Sequence, residues 1–462
     1  MTRLGPLTAG HVPLGSSMYE RDRLDAIAAR AEAELRDAGL TLVRTDPVTR
    51  PSEAEPAIAA LRAAEWDVLI LNVINWIDVR AAVRVALEFR ERPVVLYSYG
   101  GTSHGGVLVS PAAGAGSTGL RYPLERFGVR FAYLYNSPDT PMDTAGILRM
   151  ARAGRAARLL RQARLGMVGA HDMGLMTTPF DATRLRGRIG PEVESVDLLQ
   201  LRRAAEAVPA DAVAREAERL TGSWDEPFGA IPPDVLERAI RLAGGTLELC
   251  AQKGFDAFSY KSVEGVSLEL GTTHNLPSSL VASAGVPYID ENDVLNLTAQ
   301  LMLGWIADAT PSFLEHYEHH PEWILLGVDG FVPDDWISGR PRVKPVRSVS
   351  TGEPAGAAQC SRMRPGRLTL ACLAEADTAA GYRMHICTGE GVPPPDWEEL
   401  SVPGPLPSLR FVPDGTVRSI LDRVQSQHFA AVHGDYAGEL ELLCTLLAIP
   451  VVNSGSDPER RP

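Results

Sequence analysis

Three carboxylates and one carboxamide stand together as Asp290, Glu291, Asn292 and Asp293, where the apolar segment Val286 to Ile289 gives way to a helical pattern carried by Val294, Leu297, Leu301 and Met302. A strand that ends in acid just before a helix points oxygen atoms at the mouth of an open α/β sheet, where ligands usually bind. The same residues also read as an ordinary helix start. Asp and Asn are preferred N-caps, and acids in a first turn complement the helix dipole.

A second acid occupies a comparable place. Phe255 to Tyr260 reads as a buried strand that delivers Lys261, Ser262, Val263 and Glu264 to its carboxyl end. Glu264 and Asp293 at two strand ends, joined by a histidine from elsewhere, form a mixed oxygen and nitrogen set suited to Mn²⁺ or a similar divalent ion. Ten histidines compete for that place. His316, His319 and His320 lie on a polar stretch expected as solvated helix surface, and no HExxH is present. His428 opens an apolar strand followed by Val432, His433, Gly434 and Asp435. A histidine so placed is more often a structural residue than a ligand.

The elements that must position these groups alternate. A helix is expected from about Glu20 to Ala38, a strand over Leu40 to Arg44, a helix over Ser52 to Ala64, and a fully apolar strand over Val68 to Val73. Val79 to Glu91 is helical and leads into the strand Pro93 to Tyr97. The alternation resumes with strands at Leu165 to Val168 and Glu192 to Val196, and with long helices at Ala204 to Arg219 and Pro233 to Lys253. Strands separated by helices mean βαβ units, so two doubly wound α/β lobes are expected. Ser338 to Pro365 is rich in Pro, Gly, Ser and Arg and reads as a linker or long loop. Beyond it, Leu368 to Leu373, Tyr382 to Cys387 and Leu409 to Val412 read as strands without helices between them, a mainly antiparallel or barrel-like unit. The end returns to α/β with the strand His428 to His433, the helix Tyr436 to Ala448 and the strand Pro450 to Val452, so the carboxy-terminal domain is expected to be mixed, β-rich and partly antiparallel. The expected domains are therefore 1–160, 161–285 and 286–462.

Composition narrows the function. The chain has 462 residues, and 45 basic against 58 acidic side chains give a net charge of −13, which disfavours nucleic acid as a partner. Five widely spaced cysteines with no CxxC argue against a disulfide framework or structural zinc. No signal-peptide-like stretch or long apolar run is found, so a cytoplasmic location without membrane partners is expected. The glycine-rich loop Tyr99 to Gly119 has neither GxGxxG opening a helix nor a Walker lysine, which sets nucleotide cofactors aside.

Three segments, in order, carry a resemblance. Ile289 to Asn296, centred on Glu291-Asn292-Asp293, resembles the metal-binding segment of L-fucose isomerases and the related L-arabinose isomerases. Gly166 to Leu201, with Asp172-Met173-Gly174 and Val193 to Asp197, resembles the start of that family's second domain. Gln427-His428 with His433-Gly434-Asp435-Tyr436 resembles its carboxy-terminal histidine motif. The family interconverts an aldose and its ketose and holds one divalent metal, usually Mn²⁺, with a Glu, an Asp and a His.

Carried onto this chain, the resemblance implies Asp293 and His428 as ligands. Where the longer fucose isomerases have their Glu, this chain reads Leu276-Pro277-Ser278-Ser279. Glu264 is taken instead, with Glu269 as the substitute. Glu264 and Asp293 would double as acid/base groups, with Mg²⁺ or Co²⁺ able to replace Mn²⁺. Asn292 and Met173 are implied substrate contacts. The resemblance also implies a homo-oligomer, a hexamer by the family's pattern. It leaves open a pentose, hexose, deoxyhexose or sulfonated hexose as the sugar. Arg340, Arg342, Lys344 and Arg347 offer charge for a sulfonate. The competing reading is a non-catalytic sugar-binding or sensing module on the same two-lobed scaffold.

Overall fold

The computed structural model describes residues 4–225, 229–347, 352–395 and 405–455. Two compact units divide the chain. One comprises Leu4–Arg158 with Glu441–Leu446, and the other takes Leu159–Leu440 and the residues from Leu447 onward. The segments 161–285 and 286–462, expected as separate domains, thus fall almost wholly in one unit.

The first unit is a five-stranded parallel sheet. Its spatial order is Thr41–Arg44, Thr8–Leu14, Val68–Val73, Val94–Ser98, Phe131–Tyr135. Val68–Val73 is buried at every position, as its mostly apolar run requires of a central strand, and its one polar residue, Asn72, is buried against Nε2 of His11 at 3.1 Å. Alternate residues feed two cores: Leu69, Leu71 and Val73 face one layer of helices, while Val68 and Ile70 face the other. The strands Thr8–Leu14 and Phe131–Tyr135 were not anticipated from the sequence. The glycine-rich loop resolves into a hairpin, Thr102–His104 with Val107–Val109, followed by the helix Ala113–Arg126. Gly105 and Gly106 turn that hairpin with φ of 58° and 81°, a pair of left-handed values that only glycine adopts without cost.

The second unit combines a parallel sheet with a β-barrel. The sheet runs Tyr288–Ile289, Ala257–Tyr260, Arg164–Val168, Glu192–Val196. The barrel closes because Gly366–Glu375 pairs with His428–His433 on one side and with Tyr382–Val392 on the other. Ser312–His319, Ile324–Gly327 and Ser408–Pro413 complete the ring, all antiparallel. The helix Val294–Ala307 is buried from Val294 to Ile306, and packs on the barrel strands Gly366–Glu375 and His428–His433. A helix buried all round must be enclosed, and here the barrel wall covers one side while the parallel strands Ala257–Tyr260 and Tyr288–Ile289 also pack on it.

Three expectations change. Residues 338–365 are not simply a linker, because Val343–Arg347 and Pro354–Gln359 form an antiparallel pair whose small residues let its backbone approach neighbouring helices. His316 and His319 belong to a strand rather than a helix surface. Ala204 to Arg219 is two helices, Leu198–Glu206 and Ala210–Ser223, with Pro209 at the start of the second. No helix among the described residues is long and apolar enough to cross a membrane.

Candidate metal centre

The site begins where the short strand Tyr288–Ile289 ends. Glu291 and Asn292 both have left-handed backbone, with φ of 60° and 57°. Such conformations cost about 1–3 kcal/mol for residues other than glycine and persist only where the surroundings enforce them. Here the enforcement is visible. The Glu291 N–H donates to Ser262 Oγ at 3.1 Å, and the Asn292 N–H donates to Ser259 Oγ and to the Tyr260 carbonyl, each at 3.1 Å. The Asn292 carboxamide donates to the carbonyls of Val168 and Ala170 at 2.9 and 2.7 Å. The ends of two parallel strands thereby lock the turn that aims Glu291.

Asp293 then caps the helix Val294–Ala307. Its Oδ1 accepts from the Asn296 N–H at 3.1 Å, and its Oδ2 accepts from Asn296 Nδ2 at 2.8 Å. That same Oδ2 stands 3.0 Å from Nδ1 of His428. Both residues are fully buried.

His428 reaches this place because it opens the strand His428–His433, whose antiparallel neighbour Ser312–His319 sets Glu315 directly opposite it. Nε2 of His428 lies 3.1 Å from Glu315 Oε1 and 3.4 Å from Glu291 Oε2. The Phe313 ring meets the imidazole edge-on at 5.2 Å. Gln427 donates from Nε2 to Glu291 Oε2 at 3.1 Å and accepts from Thr177 Oγ1 at 3.3 Å.

The electrostatics follow from crowding. Burial alone would push the His428 imidazole down, but its hydrogen bonds and charge interactions with Asp293 and Glu315 hold its pKa well above the usual value. Burial pushes Glu291 up to about 7; His428 works against that shift, while the nearby Asp290, Glu315 and Asp172 carboxylates add to it. Next to Glu291, Asp290 pairs with His274 at 3.2 Å and accepts from the Tyr288 hydroxyl. Burial disfavours a charged His274, yet Asp290 raises it to about 9.

Among the described residues, Glu291, Glu315 and His428 form the group able to hold a metal ion, each offering a ligand atom within 4.8 Å of the others. Two carboxylates that repel each other beside one imidazole nitrogen are relieved by a divalent cation, and the donor set is that of hard ions.

Of the residues singled out from sequence, Asp293 and His428 come together in direct contact. Glu264 lies outside the group. Its side chain is 46% exposed and bonded to Lys261 at 2.8 Å, which holds its carboxyl below the usual range. Glu269 is exposed and contributes its backbone carbonyl to Arg202. Asn292 donates from Nδ2 to two backbone carbonyls, while its buried Oδ1 has no hydrogen-bond partner among the described residues. Met173 is 46% exposed at a left-handed turn whose neighbour, Asp172, accepts from the N–H groups of Val263 and Glu264. Lys344 is buried, and burial lowers its pKa, while Arg340 donates to the carbonyls of Ser223 and Gly222.

Sequence reasoning missed Glu315. Its signal was present, since Ser312 to Leu314 is an apolar lead-in of strand type, but reading the following histidines as helical hid the partner strand.

No family model matches the chain. Over 464 aligned residues, 96% of this chain and 99% of the relative, it is 19% identical to a sulfoquinovose isomerase of Alkalicoccus urumqiensis. Over 214 residues, it is 21% identical to sulfoquinovose isomerases of Priestia aryabhattai and Priestia megaterium, covering 46% of this chain and 47% of each relative. These three carry the name of sulfoquinovose isomerase rather than that of the L-fucose or L-arabinose enzymes.

Proposed function

We propose that this chain is a metal-dependent aldose–ketose isomerase acting on a sulfonated hexose of the sulfoquinovose kind. The observation that carries the reading is the convergence of Glu291 and Glu315 on Nε2 of His428. The relatives support it, one of them over nearly the whole chain.

The reaction moves a proton between C1 and C2 while O1 and O2 exchange carbonyl and hydroxyl character, through a cis-enediol. A divalent cation, Mn²⁺ in this reading with Mg²⁺ or Co²⁺ as substitutes, would be held by Glu291, Glu315 and His428 and would supply Lewis-acid polarisation of the sugar oxygens. The protein's own residues carry the rest. Glu291, held in place by Gln427 and by its enforced turn, takes the proton from C2 and returns it to C1. Glu315, the more exposed of the two carboxylates, exchanges the hydroxyl proton between O2 and O1. Met173 remains a candidate substrate contact, and a homo-oligomer remains part of the reading, to be checked by light scattering.

The test is incubation with sulfoquinovose and a panel of unsubstituted aldoses in deuterated water containing Mn²⁺, followed by NMR. Ketose formation is the expected result, with solvent deuterium entering at C1 of the ketose and, through the reverse reaction, at C2 of the recovered aldose. If neither ketose nor exchange arises from any sugar, the isomerase reading is lost.

A further inference from the structure

We infer that the cavity between the helices Leu198–Glu206 and Pro233–Lys253 is a binding site for a small polyhydroxylated molecule carrying a tetrahedral oxyanion, a sugar phosphate or a sugar sulfonate. None of the residues lining it belongs to the Glu291, Glu315 and His428 group.

Helical spacing places the charges. Arg238, Arg241 and Gly245 stand at i, i+3 and i+7 of Pro233–Lys253 and share one face, while Arg202, Ala205 and Glu206 share a face of Leu198–Glu206. The two helices touch backbone to backbone at Gly245, where an added Cβ would stand 2.4 Å from the Ala205 nitrogen. Toward the start of the longer helix, Arg241 and Arg238 line a cavity of about 330 Å³ together with Arg202 and Glu206, and Glu269 and Thr272 complete its polar wall. That volume lies at the small end of the range for ligand cavities and suits a molecule of sugar size.

The guanidinium groups are fixed by the protein itself. Arg241 donates from Nε to Glu237 at 2.9 Å and from Nη1 to the Val208 carbonyl at 2.6 Å. Arg238 donates from Nη1 to Asp234 at 2.7 Å, and Arg202 donates to the Glu269 carbonyl. Two buried polar atoms of the lining are left over. Among the described residues, Nε of Arg238 and Oγ1 of Thr272 have no hydrogen-bond partner. Thr272 is only 2% exposed, so bulk solvent does not serve its hydroxyl. A buried donor left unpaired is costly, and the oxygens of a bound oxyanion would satisfy both.

An anion is the species such a set selects, because guanidinium N–H groups form strong, charge-assisted bonds to phosphate and sulfonate oxygens. Glu206 and Glu269 are both exposed and oppose two of the three positive charges. Carboxylates repel a bare anion but accept hydrogen bonds from hydroxyl groups. An oxyanion joined to several hydroxyls therefore uses both halves of the lining, whereas inorganic phosphate uses one.

The experiment measures binding to the full-length, metal-free protein by calorimetry, so that the result does not depend on the cation site. The probes are glucose 6-phosphate, sulfoquinovose, glucose and inorganic phosphate. The variants are Arg238→Gln, Thr272→Val and, as a control for surface charge, Arg215→Gln. The Arg215 side chain is 69% exposed on Ala210–Ser223 and lies outside the cavity lining. Circular dichroism checks that each variant folds. We expect one of the two anionic sugars to bind more tightly than glucose or inorganic phosphate. Its affinity should fall about tenfold in Arg238→Gln, the cost of a charge-assisted hydrogen bond, and about threefold in Thr272→Val. Which sugar responds tells a phosphate ester from a sulfonate. If neither anionic sugar binds, or if folded Arg238→Gln and Thr272→Val bind both as the wild type does, the cavity is not their site. An equal loss in Arg215→Gln would reduce the effect to surface charge, and inorganic phosphate bound as tightly as either sugar would mean an adventitious ion only. Both of those outcomes overturn the proposal.

Discussion

Nδ1 of His428 stands 3.0 Å from Oδ2 of Asp293, joining the first cap of a buried helix to the first residue of a barrel strand. The contact divides the imidazole between two tasks. One nitrogen is anchored in the interior, and the other faces Glu291 and Glu315. Substitutions on the two sides of the ring should therefore differ in kind.

Glu315→Gln removes a charged donor atom from the Nε2 side. Its expected effect is a loss of Mn²⁺ affinity of more than about 100-fold, exceeding the loss for a residue that only supports a ligand. Glu264→Gln, in contrast, alters an exposed carboxylate paired with Lys261 and should change Mn²⁺ affinity less than about twofold, as expected for a screened surface pair. Binding isotherms of the two variants side by side decide the assignment. Equal losses would return Glu264 to the ligand set.

Much of this was legible in the sequence for physical reasons. Val68–Val73 and His428–His433 are apolar runs whose bounds the structure reproduces, because burial on both faces leaves little room for polar residues. The stretch Asp290 to Asp293 was legible as a place for chemistry, since acids at a strand-to-helix junction have few other uses than caps and ligands. The division of labour within it was not. Whether Glu291 or Asp293 faces the ligand depends on two consecutive left-handed residues, and these are set by Ser259 and Val168 from other strands and by Ser262 just past the end of one. Glu315 depends on a cross-strand register with His428, a relation between segments 113 positions apart that no local pattern contains.

The strand Pro354–Gln359 shows the opposite failure, where small residues suggested a loop and instead serve close packing. A Cβ added at Gly356 would collide with the Thr273 side chain. Gly356→Ala should therefore destabilise the protein by about 1–3 kcal/mol, the usual cost of overpacking a filled interior. Urea denaturation followed by fluorescence checks it, and an unchanged midpoint would mean that the strand can shift freely away from Thr273.

In the first unit, Glu32 is buried beside His11 and bonded to Arg36 at 3.0 Å and Arg44 at 2.6 Å. Burial pushes its carboxyl up, but hydrogen bonds from His11, Arg44 and Arg36 outweigh that and bring it down to about 2. A depressed carboxylate pKa contributes stability above its unfolded value of about 4.5, and that contribution fades as the pH falls toward 2. Glu32→Gln should thus cost about 2 kcal/mol near neutrality, in the range for losing a charged hydrogen-bond partner. The gap between variant and wild type should close as the pH is lowered from about 4.5 toward 2. A gap that stays constant across that interval would show that shape, not charge, is what Glu32 contributes.

Cation binding must itself depend on pH, because the ligand atoms hold protons when no cation is present. Nε2 of His428 must release its proton before it can coordinate, and the Asp293 and Glu315 charges that raise the His428 pKa make that release compete with binding. Glu291, at about 7 through burial and crowding by other carboxylates, adds a second proton to displace near neutrality. The sign follows: lowering the pH favours the protonated, cation-free group, and raising it favours the cation. Apparent Mn²⁺ affinity should rise steeply between about pH 5 and pH 8, by roughly tenfold per pH unit for each proton released. Calorimetry in two buffers of different ionisation enthalpy should register that release directly. In Glu291→Gln the slope should fall by about one proton while the His428 contribution remains. A Glu291→Gln slope equal to that of the wild type would separate Glu291 from the bound cation and leave Glu315 and His428 to hold it, and a pH-independent affinity would remove His428 from the ligand set as well.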